Sequence, residues 1–442
     1  METLNSKQFE DILDMHWKLT IILVCAFGII KEFRPATPFL TPYLITHPKN
    51  FTNVQLYSEI YPFWTYSYFV ALIPSLFLTD FLRYKPVVVL EAVTLCATWI
   101  LLIWGKTVWQ MQIMQIMFGI ASACELGYES YMFLIVDFKY YVSVSSYTRA
   151  ATQIGRFFAY ALAQFLVSFN YGSYLLLNQI SFVAVCLTIP IALCFPPVTV
   201  SILRKKECKN ADLNVIHSIF SERSTSLEQC DPSHCRITSE SSQSANISAG
   251  ILKYFRATCV QFTIFTRNKN VLKWSMWWAL TTCGVYQVMN YIQTLWATMQ
   301  VLSETYNGIT ECANTFIGAA ISFSVQYVHL DWKENAEIIL ALTSGIIAVL
   351  LVIMPLCQSI TPAYILYVGV IAIYNFLMTA ACAAIASELD SASYAFVFGI
   401  NTFIALSLES SLTLIVADKH GFALSIQKQV FLIFLSIFNE NI

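Results

Sequence analysis

The sequence predicts an all-helical integral membrane protein built from two halves of six helices each. Three observations predict it: the high apolar content, repeated runs of about 20 apolar residues, and one polar stretch near the middle of the chain. Of the 442 residues, 57% are hydrophobic and only 12% are Asp, Glu, Lys or Arg, whereas soluble domains carry roughly 25% charged residues. A water-soluble domain of this size has too little interior to bury so much apolar surface.

Eleven apolar runs are long enough to cross the ~30 Å hydrocarbon core of a bilayer as helices. The first six lie at 17–33, 61–81, 86–105, 109–136, 150–170 and 173–195. The next five lie at 271–293, 307–329, 336–357, 361–386 and 393–417. A twelfth run begins near residue 424, but its uninterrupted apolar part is short. The sequence therefore predicts eleven clear spans and a short twelfth.

A polar stretch at 196–270 separates an N-terminal transmembrane half (1–195) from a C-terminal half (271–442) and is predicted to be a flexible linker. Most of the 25 Lys and Arg lie in this linker or in loops on the same side. The positive-inside rule then places the N-terminus and the linker in the cytoplasm. Two six-helix halves joined by a basic cytoplasmic loop are the arrangement of the major facilitator fold, which binds its substrate between the halves.

This orientation puts the sequon Asn50-Phe51-Thr52 outside the cell, where glycosylation is expected. A second sequon at Asn246 would face the cytoplasm and stay unmodified. The first apolar run lacks the exit site of a signal peptide, so it is expected to remain as the first span.

Several function classes are excluded by charge and motifs. A net charge of −2 gives no basic surface for nucleic acid. Because no nucleophile elbow, P-loop or HExxH motif occurs, we expect neither an enzyme nor an ATP-driven pump. The spacing of Cys230, His234 and Cys235 fits no standard zinc site, and neither a metal nor a cofactor is expected.

Polar residues within the apolar runs are the candidate site residues, because a charge at the bilayer centre costs ~2.5–3.5 kcal/mol on insertion scales. The fourth run places four of them on one helical face together with an aromatic ring: Gln115, Phe118, Ser122, Glu125 and Glu129. Since carboxylates four residues apart repel each other, this face is predicted either to line a polar cavity or to form an internal ion pair with Arg156. Glu311 and Glu409 are further candidates in the second half.

Two features border the second apolar run. Tyr61 and Trp64 belong to an aromatic cluster at its outer end. An aromatic belt at the membrane interface accounts for such a cluster, and so does a stacking surface for a flat heteroaromatic ligand or a cation. At the other end, Asp80 and Arg83 are predicted to form an ion pair that holds a cytoplasmic gate closed.

Segments of both halves resemble the reduced folate carrier and thiamine transporter family. In the first half they are KEFRPATPFLTPYL and EIYPFWTYSYFVALIPSLFLTDFLRYKPVVVL. In the second half they are VMNYIQTLW, TYNGITECANTFIGAA and YAFVFGINTFIAL. The resemblance implies a vitamin carrier of the plasma membrane that is driven by a coupling ion or counter-anion rather than by ATP.

The resemblance also bears on the substrate. The folate branch has basic residues where this chain has Glu125 and Glu409, and a carboxylate within ~4 Å of an anion costs several kcal/mol at an effective dielectric constant of about 20. The thiamine branch resembles this chain at Trp64, Glu125 and Asn290. The sequence therefore favours thiamine or an organic cation of similar shape. The expected binding residues are Tyr61 and Trp64 for stacking, Glu125 and Glu409 for negative charge, and Gln115 and Asn290 for hydrogen bonds.

Two alternatives stay open. The first is a folate carrier whose basic site is rearranged around Arg156, where the thiamine branch has a tyrosine. The second is a divergent paralogue that senses a ligand or acts as a scaffold without transport. The short last run favours the second alternative, as does the presence of Gln115 and Phe118 in place of the thiamine branch's Glu and Tyr.

Overall fold

The computed structural model describes residues 6–81, 84–135, 141–196, 269–299, 306–325, 332–388 and 391–424, and all regular structure in these ranges is helical. Each of the eleven predicted runs overlaps one long helix, and several of these helices extend beyond the run. In the first half these are α1 (Ser6–Glu32), α2 (Pro62–Phe81), α3 (Lys85–Trp104), α4 (Val108–Ile135), α5 (Tyr141–Ser168) and α6 (Tyr174–Cys194). In the second half they are α7 (Lys269–Met299), α8 (Asn307–Val325), α9 (Trp332–Ile353), α10 (Ile360–Glu388) and α11 (Ser391–Val416). The twelfth run and most of the predicted linker lie outside the described residues.

Local sequence explains where several helices begin and end. α1 stops at Glu32, shortly before Pro35, because the residue preceding a proline disfavours helical geometry. α3 has Pro86 in its first turn, where the missing N–H costs nothing. The Oγ of Ser173 caps α6 by accepting a hydrogen bond from the backbone N–H of Leu176 at 3.2 Å.

Four helical stretches in the described part of the chain are long and apolar enough to cross a membrane by length and composition alone. They are Lys85–Trp104, Tyr174–Cys194, Ile360–Met378 and Gly399–Val416. Large apolar side chains also remain exposed, such as Phe169 at 60% and Ile365 at 67%. Exposed apolar surface of this kind fits a multi-pass membrane protein. The total number of spans stays a prediction.

The pattern of contacts between helices in the first half recurs in the second half, between helices whose numbers are higher by six. In the first half α4 packs on both α2 and α3, and in the second half α10 packs on both α8 and α9. Between the halves, α5 packs on α8 and α2 packs on α11. Replacing each helix by its counterpart in the other half turns one of these contacts into the other. The described residues up to 196 and from 273 onward form one compact unit. Such contacts are typical of paired six-helix repeats.

The two halves are hydrogen-bonded at the end of the bundle where α2 starts and α3 finishes. Three of these bonds run from Gln293 Nε2 to Thr37 O (2.9 Å), from Asn307 Nδ2 to Pro38 O (3.0 Å) and from Tyr66 OH to Asp418 Oδ2 (2.9 Å). Further hydrogen bonds between the halves, such as Thr65 to Glu409 and Ile309 N–H to Gln164, also lie in the portion of the helices nearer this end. We call it the closed end.

The loop before α2 is tied to the last turn of α3. The Nζ of Lys49 donates to the carbonyl of Ile103 at 3.1 Å and to that of Gly105. These carbonyls lie at the C-terminal end of α3, where backbone acceptors lack helical partners. Burial, with a further contribution from Lys106, lowers the pKa of Lys49 to about 8. The neighbouring Asn50 is exposed.

Candidate functional site

Three charged side chains on α1, α3 and α4 form what we call the lysine trio. The Nζ of Lys31 lies 2.8 Å from Oε1 of Glu91 and 2.9 Å from Oε1 of Glu125. Lys31 and Glu91 are each 2% exposed, whereas Glu125 is 39% exposed. One ammonium thus faces two carboxylates, and Glu125 is the accessible member.

A second group, which we call the arginine trio, consists of Glu32 at the end of α1, Arg34 just beyond α1, and Arg156 on α5. Oε2 of Glu32 lies 2.6 Å from Nη2 of Arg34 and 2.7 Å from Nε of Arg156. Glu32 is 2% exposed, Arg34 13% and Arg156 38%. Here two guanidinium groups share one carboxylate, and Arg156 is the accessible member.

The two trios are neighbours because Lys31 and Glu32 are consecutive in α1. Their three formal positive and three formal negative charges cancel, which lowers the cost of keeping them among apolar helices. The accessible groups have opposite signs: a carboxylate from α4 and a guanidinium from α5. This pairing gives the site a negative and a positive contact point for a polar ligand.

An aromatic surface borders the charged groups. The rings of Trp64 and Phe118 are stacked, with centroids 6.2 Å apart and planes at 28°, and we call them the aromatic wall. Nε1 of Trp64 donates to Oγ of Ser122 at 3.2 Å, which holds the indole against α4. The guanidinium of Arg34 lies 5.8 Å from the Phe118 centroid. A flat ring can stack on such a surface.

Glu409 on α11 meets α2 from the opposite half. Oγ1 of Thr65 donates to Oε1 of Glu409 at 3.4 Å, and Nδ2 of Asn290 donates to the same Thr65 hydroxyl at 3.4 Å. Glu409 has no exposed surface, and its Oε2 has no hydrogen-bond partner among the described residues. This carboxyl therefore lies within the contact between the halves.

Glu311 on α8 is the second carboxylate contributed by the second half. Its Oε1 accepts from the hydroxyl of Tyr367 at 3.2 Å, and its Oε2 accepts from Nδ2 of Asn314 at 3.4 Å. It also interacts electrostatically with Arg156 across the contact between α5 and α8. The arginine trio therefore faces the second half as well as the first.

The structure brings together Trp64, Phe118, Glu125 and Arg156, all four of which were predicted from the sequence. It corrects two details. Arg156 pairs with Glu32 rather than with a carboxylate of the fourth run. Tyr61 does not stack beside the aromatic wall, because it is 3% exposed and its hydroxyl lies 2.7 Å from the Thr41 hydroxyl at the closed end.

One further predicted residue is buried, and three have no described side chain. Gln115 is only 4% exposed, so it is not open to a ligand in this conformation. Asp80 and Glu129 lie on α2 and α4, but their side chains are outside the described part of the structure, as is the whole of Arg83. The gate formed by Asp80 and Arg83 therefore stays a prediction.

Sequence reasoning missed Lys31, Glu32 and Arg34 as members of the site, and it assigned no role to Glu91, a charged residue within an apolar run. A signal was present, because basic and acidic residues stand side by side at the end of the first apolar run. A charge in a membrane span requires a partner, and the first half has as many basic as acidic residues in these two trios. Equal numbers of basic and acidic residues in the spans would have predicted ion pairs inside the protein, although not which residues form them.

Two apolar grooves lie away from the charged groups. One, of about 560 Å³, lies between α5 and α8, and the other, of about 610 Å³, lies between α1 and α6. Neither groove is lined by a charged side chain. Within the described ranges, no group of three or more His, Cys, Asp or Glu is placed to hold a metal ion. The trios and the aromatic wall are therefore the best candidate for a site that binds a polar ligand.

Comparison with known proteins identifies the family. The family model described as reduced folate carrier matches residues 15–432. Folate transporter 1 of Caenorhabditis elegans is 44% identical over 416 residues, which cover 94% of this chain and 88% of that protein. Thiamine transporter 1 of Homo sapiens is 37% identical over 437 residues, which cover 96% and 87% respectively.

Solved structures identify the fold. The crystal structure of a D-xylose–proton symporter aligns with a TM-score of 0.64 at 10% identity, covering 96% of each chain. This likeness shows the major facilitator type of architecture and nothing more specific. The family match over almost the whole sequence shows that the chain belongs to the reduced folate carrier family, whose members are transporters rather than enzymes.

Proposed function

We propose that this chain carries a flat heteroaromatic vitamin across the plasma membrane by alternating access, driven by a coupling ion or counter-anion. The relatives reported above are vitamin transporters by name, and the distribution of Lys and Arg supports a cytoplasmic N-terminus and linker. In that orientation the closed end is the outer end. The exposure of Glu125 and Arg156 then supports a site that opens toward the cytoplasm.

The proposed substrate is a folate. The observation that carries this proposal is the accessible guanidinium of Arg156, which lies in the site together with the aromatic wall and the carboxylate of Glu125. A folate offers a partner for each of these groups: a pterin ring for stacking, ring N–H donors for a carboxylate, and carboxylates for a guanidinium.

This proposal departs from the substrate that the sequence alone favours. That argument counted Glu125 and Glu409 as free negative charges that repel an anion. Lys31 lies 2.9 Å from Glu125 and offsets part of its charge, while Glu409 has no surface open to a ligand in this conformation. The main electrostatic objection to a folate is therefore weaker than the sequence suggests.

Thiamine is the second candidate. The observation that favours it is Glu125, whose accessible carboxylate borders the aromatic wall and suits a cationic ring system. Glu311 adds negative charge from the second half. A cation in the same position would also meet Arg156, which is why we place thiamine second.

The test is parallel uptake of labelled folate and labelled thiamine in cells that express the full chain, with vector controls and measured surface protein. We expect saturable folate uptake. Saturable thiamine uptake without folate uptake would select the second candidate. Normal surface protein with uptake of neither vitamin would contradict both and favour a role without transport.

Two matched variants, Arg156→Gln and Glu125→Gln, test how the substrate is placed. The two parent side chains are 38% and 39% exposed, and each pairs with a buried group on α1. For a folate, Arg156→Gln should raise KM by at least ~10-fold, since a charge-assisted hydrogen bond contributes ~1.5–3 kcal/mol, and Glu125→Gln should raise it less. The reverse order would indicate a cationic substrate.

A further inference from the structure

Glu409 is buried without a charge partner at a contact between the two halves. It lies on α11 with no exposed surface, and Thr65 of α2 donates its one described hydrogen bond, at 3.4 Å. Oε2 of Glu409 has no partner in the described part of the chain. Glu91 and Glu32 differ because each pairs with a basic side chain, and Asp418 differs because Tyr66 OH and the His420 N–H donate to its two carboxylate oxygens.

The surroundings of Glu409 disfavour a negative charge. The titratable groups of the described residues that face it are the phenols of Tyr286 and Tyr291 on α7, with Tyr66 and Asp418 bonded to each other beyond them. None of these groups is basic. An ionised carboxylate that has lost its water and gained no cation is strongly unfavourable, whereas a neutral carboxyl group is compatible with this burial.

We propose that Glu409 binds and releases the proton that couples transport, so that this carboxyl must be protonated before the outer contact between α2 and α11 can close. The inference rests on the proposed alternating access and adds the identity of its coupling ion. A metal cation fits the site less well, because hard cations need several oxygen ligands and Thr65 is the one described hydroxyl bonded to this carboxyl.

The position of Glu409 links the proton to the substrate. Thr65, which donates to Glu409, follows Trp64, whose ring forms the aromatic wall. The next residue, Tyr66, donates to Asp418 at 2.9 Å at the closed end. Three consecutive residues of α2 therefore contact the substrate surface, the proton site and the outer closure, so movement of α2 changes all three together.

The direction of the pH effect follows from this arrangement. When α2 and α11 separate, Glu409 meets outside water and ionises or takes up a proton according to the outside pH. Because the neutral form favours closure, acidifying the outside solution should increase vitamin uptake. Glu409→Gln carries a permanently neutral side chain of similar shape and should remove this dependence.

The first experiment measures protonation directly and needs no substrate. The infrared spectrum of the purified full chain at pH 7, minus that of Glu409→Gln, should contain the C=O band of a protonated carboxylic acid. The band should persist in Glu59→Gln, a carboxylate at the protein surface that lies 3.9 Å from Lys419. If Glu409→Gln has the same carboxylic-acid C=O absorption as the wild type, the proposal is wrong, whichever vitamin the chain carries.

The second experiment separates coupling from binding, using the vitamin that the wild-type chain carries. Glu409→Gln should keep exchange of labelled for unlabelled vitamin at equal pH within about twofold, but lose accumulation driven by a pH gradient. Glu59→Gln should keep both, because its ion pair with Lys419 across the halves is long and exposed to solvent, and such pairs contribute little to stability. Three results would each overturn the proposal. Glu409→Gln could keep the pH dependence of the wild type, or it could lose exchange as well as accumulation at normal surface protein. Accumulation by the wild type could also follow a sodium gradient instead of a pH gradient.

Discussion

Glu91, Glu125 and Glu409 are the same residue type in apolar helices, yet their surroundings give them different roles. Glu91 is buried against Lys31, and Glu125 contacts the same ammonium but remains 39% exposed. Glu409 is fully buried and has no basic partner among the described residues. Since a carboxylate within a membrane protein needs a cation, water or a proton, each of the three meets that need differently.

Lys31 is the residue on which the buried charges of the lysine trio depend. Lys31→Met should lower the stability of the protein by ~3–5 kcal/mol, because it leaves Glu91 as an unpaired buried carboxylate. Thermal unfolding in detergent and the amount of surface protein measure the effect. Adding Glu91→Gln to this variant should recover part of the loss, because that change removes the unpaired charge.

Lys85→Met is the matched control for Lys31→Met. The Nζ of Lys85 donates to the Leu193 carbonyl at an exposed position, so its loss leaves no buried charge. We expect a change within ~0.5 kcal/mol, as at most surface positions. Equal effects of the two lysine substitutions would show that Lys31 does not hold the trio together.

At the scale of the helices, α1 is the element that organises the site. It supplies Lys31 to the lysine trio and Glu32 to the arginine trio, and it packs on α5 and α6. The contact with α5 is close because α5 has Gly155 where it crosses α1. A Cβ at Gly155 would lie 2.4 Å from the backbone oxygen of Ile29.

Gly155→Ala should therefore push α1 and α5 apart and stretch the bond between Glu32 and Arg156. A clash with a backbone atom cannot be relieved by turning a side chain, so we expect a loss of ~1–3 kcal/mol in stability, with less uptake per surface molecule. Gly345→Ala is the matched control, because a Cβ there meets nothing within 4 Å. It should be neutral or stabilise α9 by ~0.5–1 kcal/mol, and an equal loss in both variants would contradict the close-approach argument.

At the scale of the whole molecule, the closed end determines which side of the membrane the site faces. The hydrogen bonds between the halves that are given above lie toward that end. Whether it is the outer end depends on the orientation predicted from the Lys and Arg distribution. Asn50 lies in the loop at this end and is exposed, so it reports the orientation.

The chain expressed in cells should therefore lose apparent mass when treated with an N-glycosidase. Asn50→Gln should abolish that mass shift, because its sequon faces outside in the proposed orientation. Asn246→Gln, in the second sequon, should leave the shift unchanged, since the linker is predicted to be cytoplasmic. A shift that depends on Asn246 instead would reverse the assigned orientation and place the site on the opposite side.

The sequence by itself determined the helices, because an apolar run of about 20 residues is a local property of the chain. It also indicated four residues of the candidate site, Trp64, Phe118, Glu125 and Arg156, because polar and aromatic groups in such runs need an explanation. The family motifs in both halves led to the same assignment that the family match later showed.

Only the tertiary structure decided which of these groups pair and which stay accessible. Lys31 and Glu91 are 60 residues apart in the chain, and Glu32 and Arg156 are 124 apart. Ion pairs over such separations depend on how helices pack, and they leave no periodic pattern in the sequence. Burial is equally non-local: Glu125 and Glu409 look alike in their apolar runs, but packing of α11 against α2 hides one carboxyl while the other remains open.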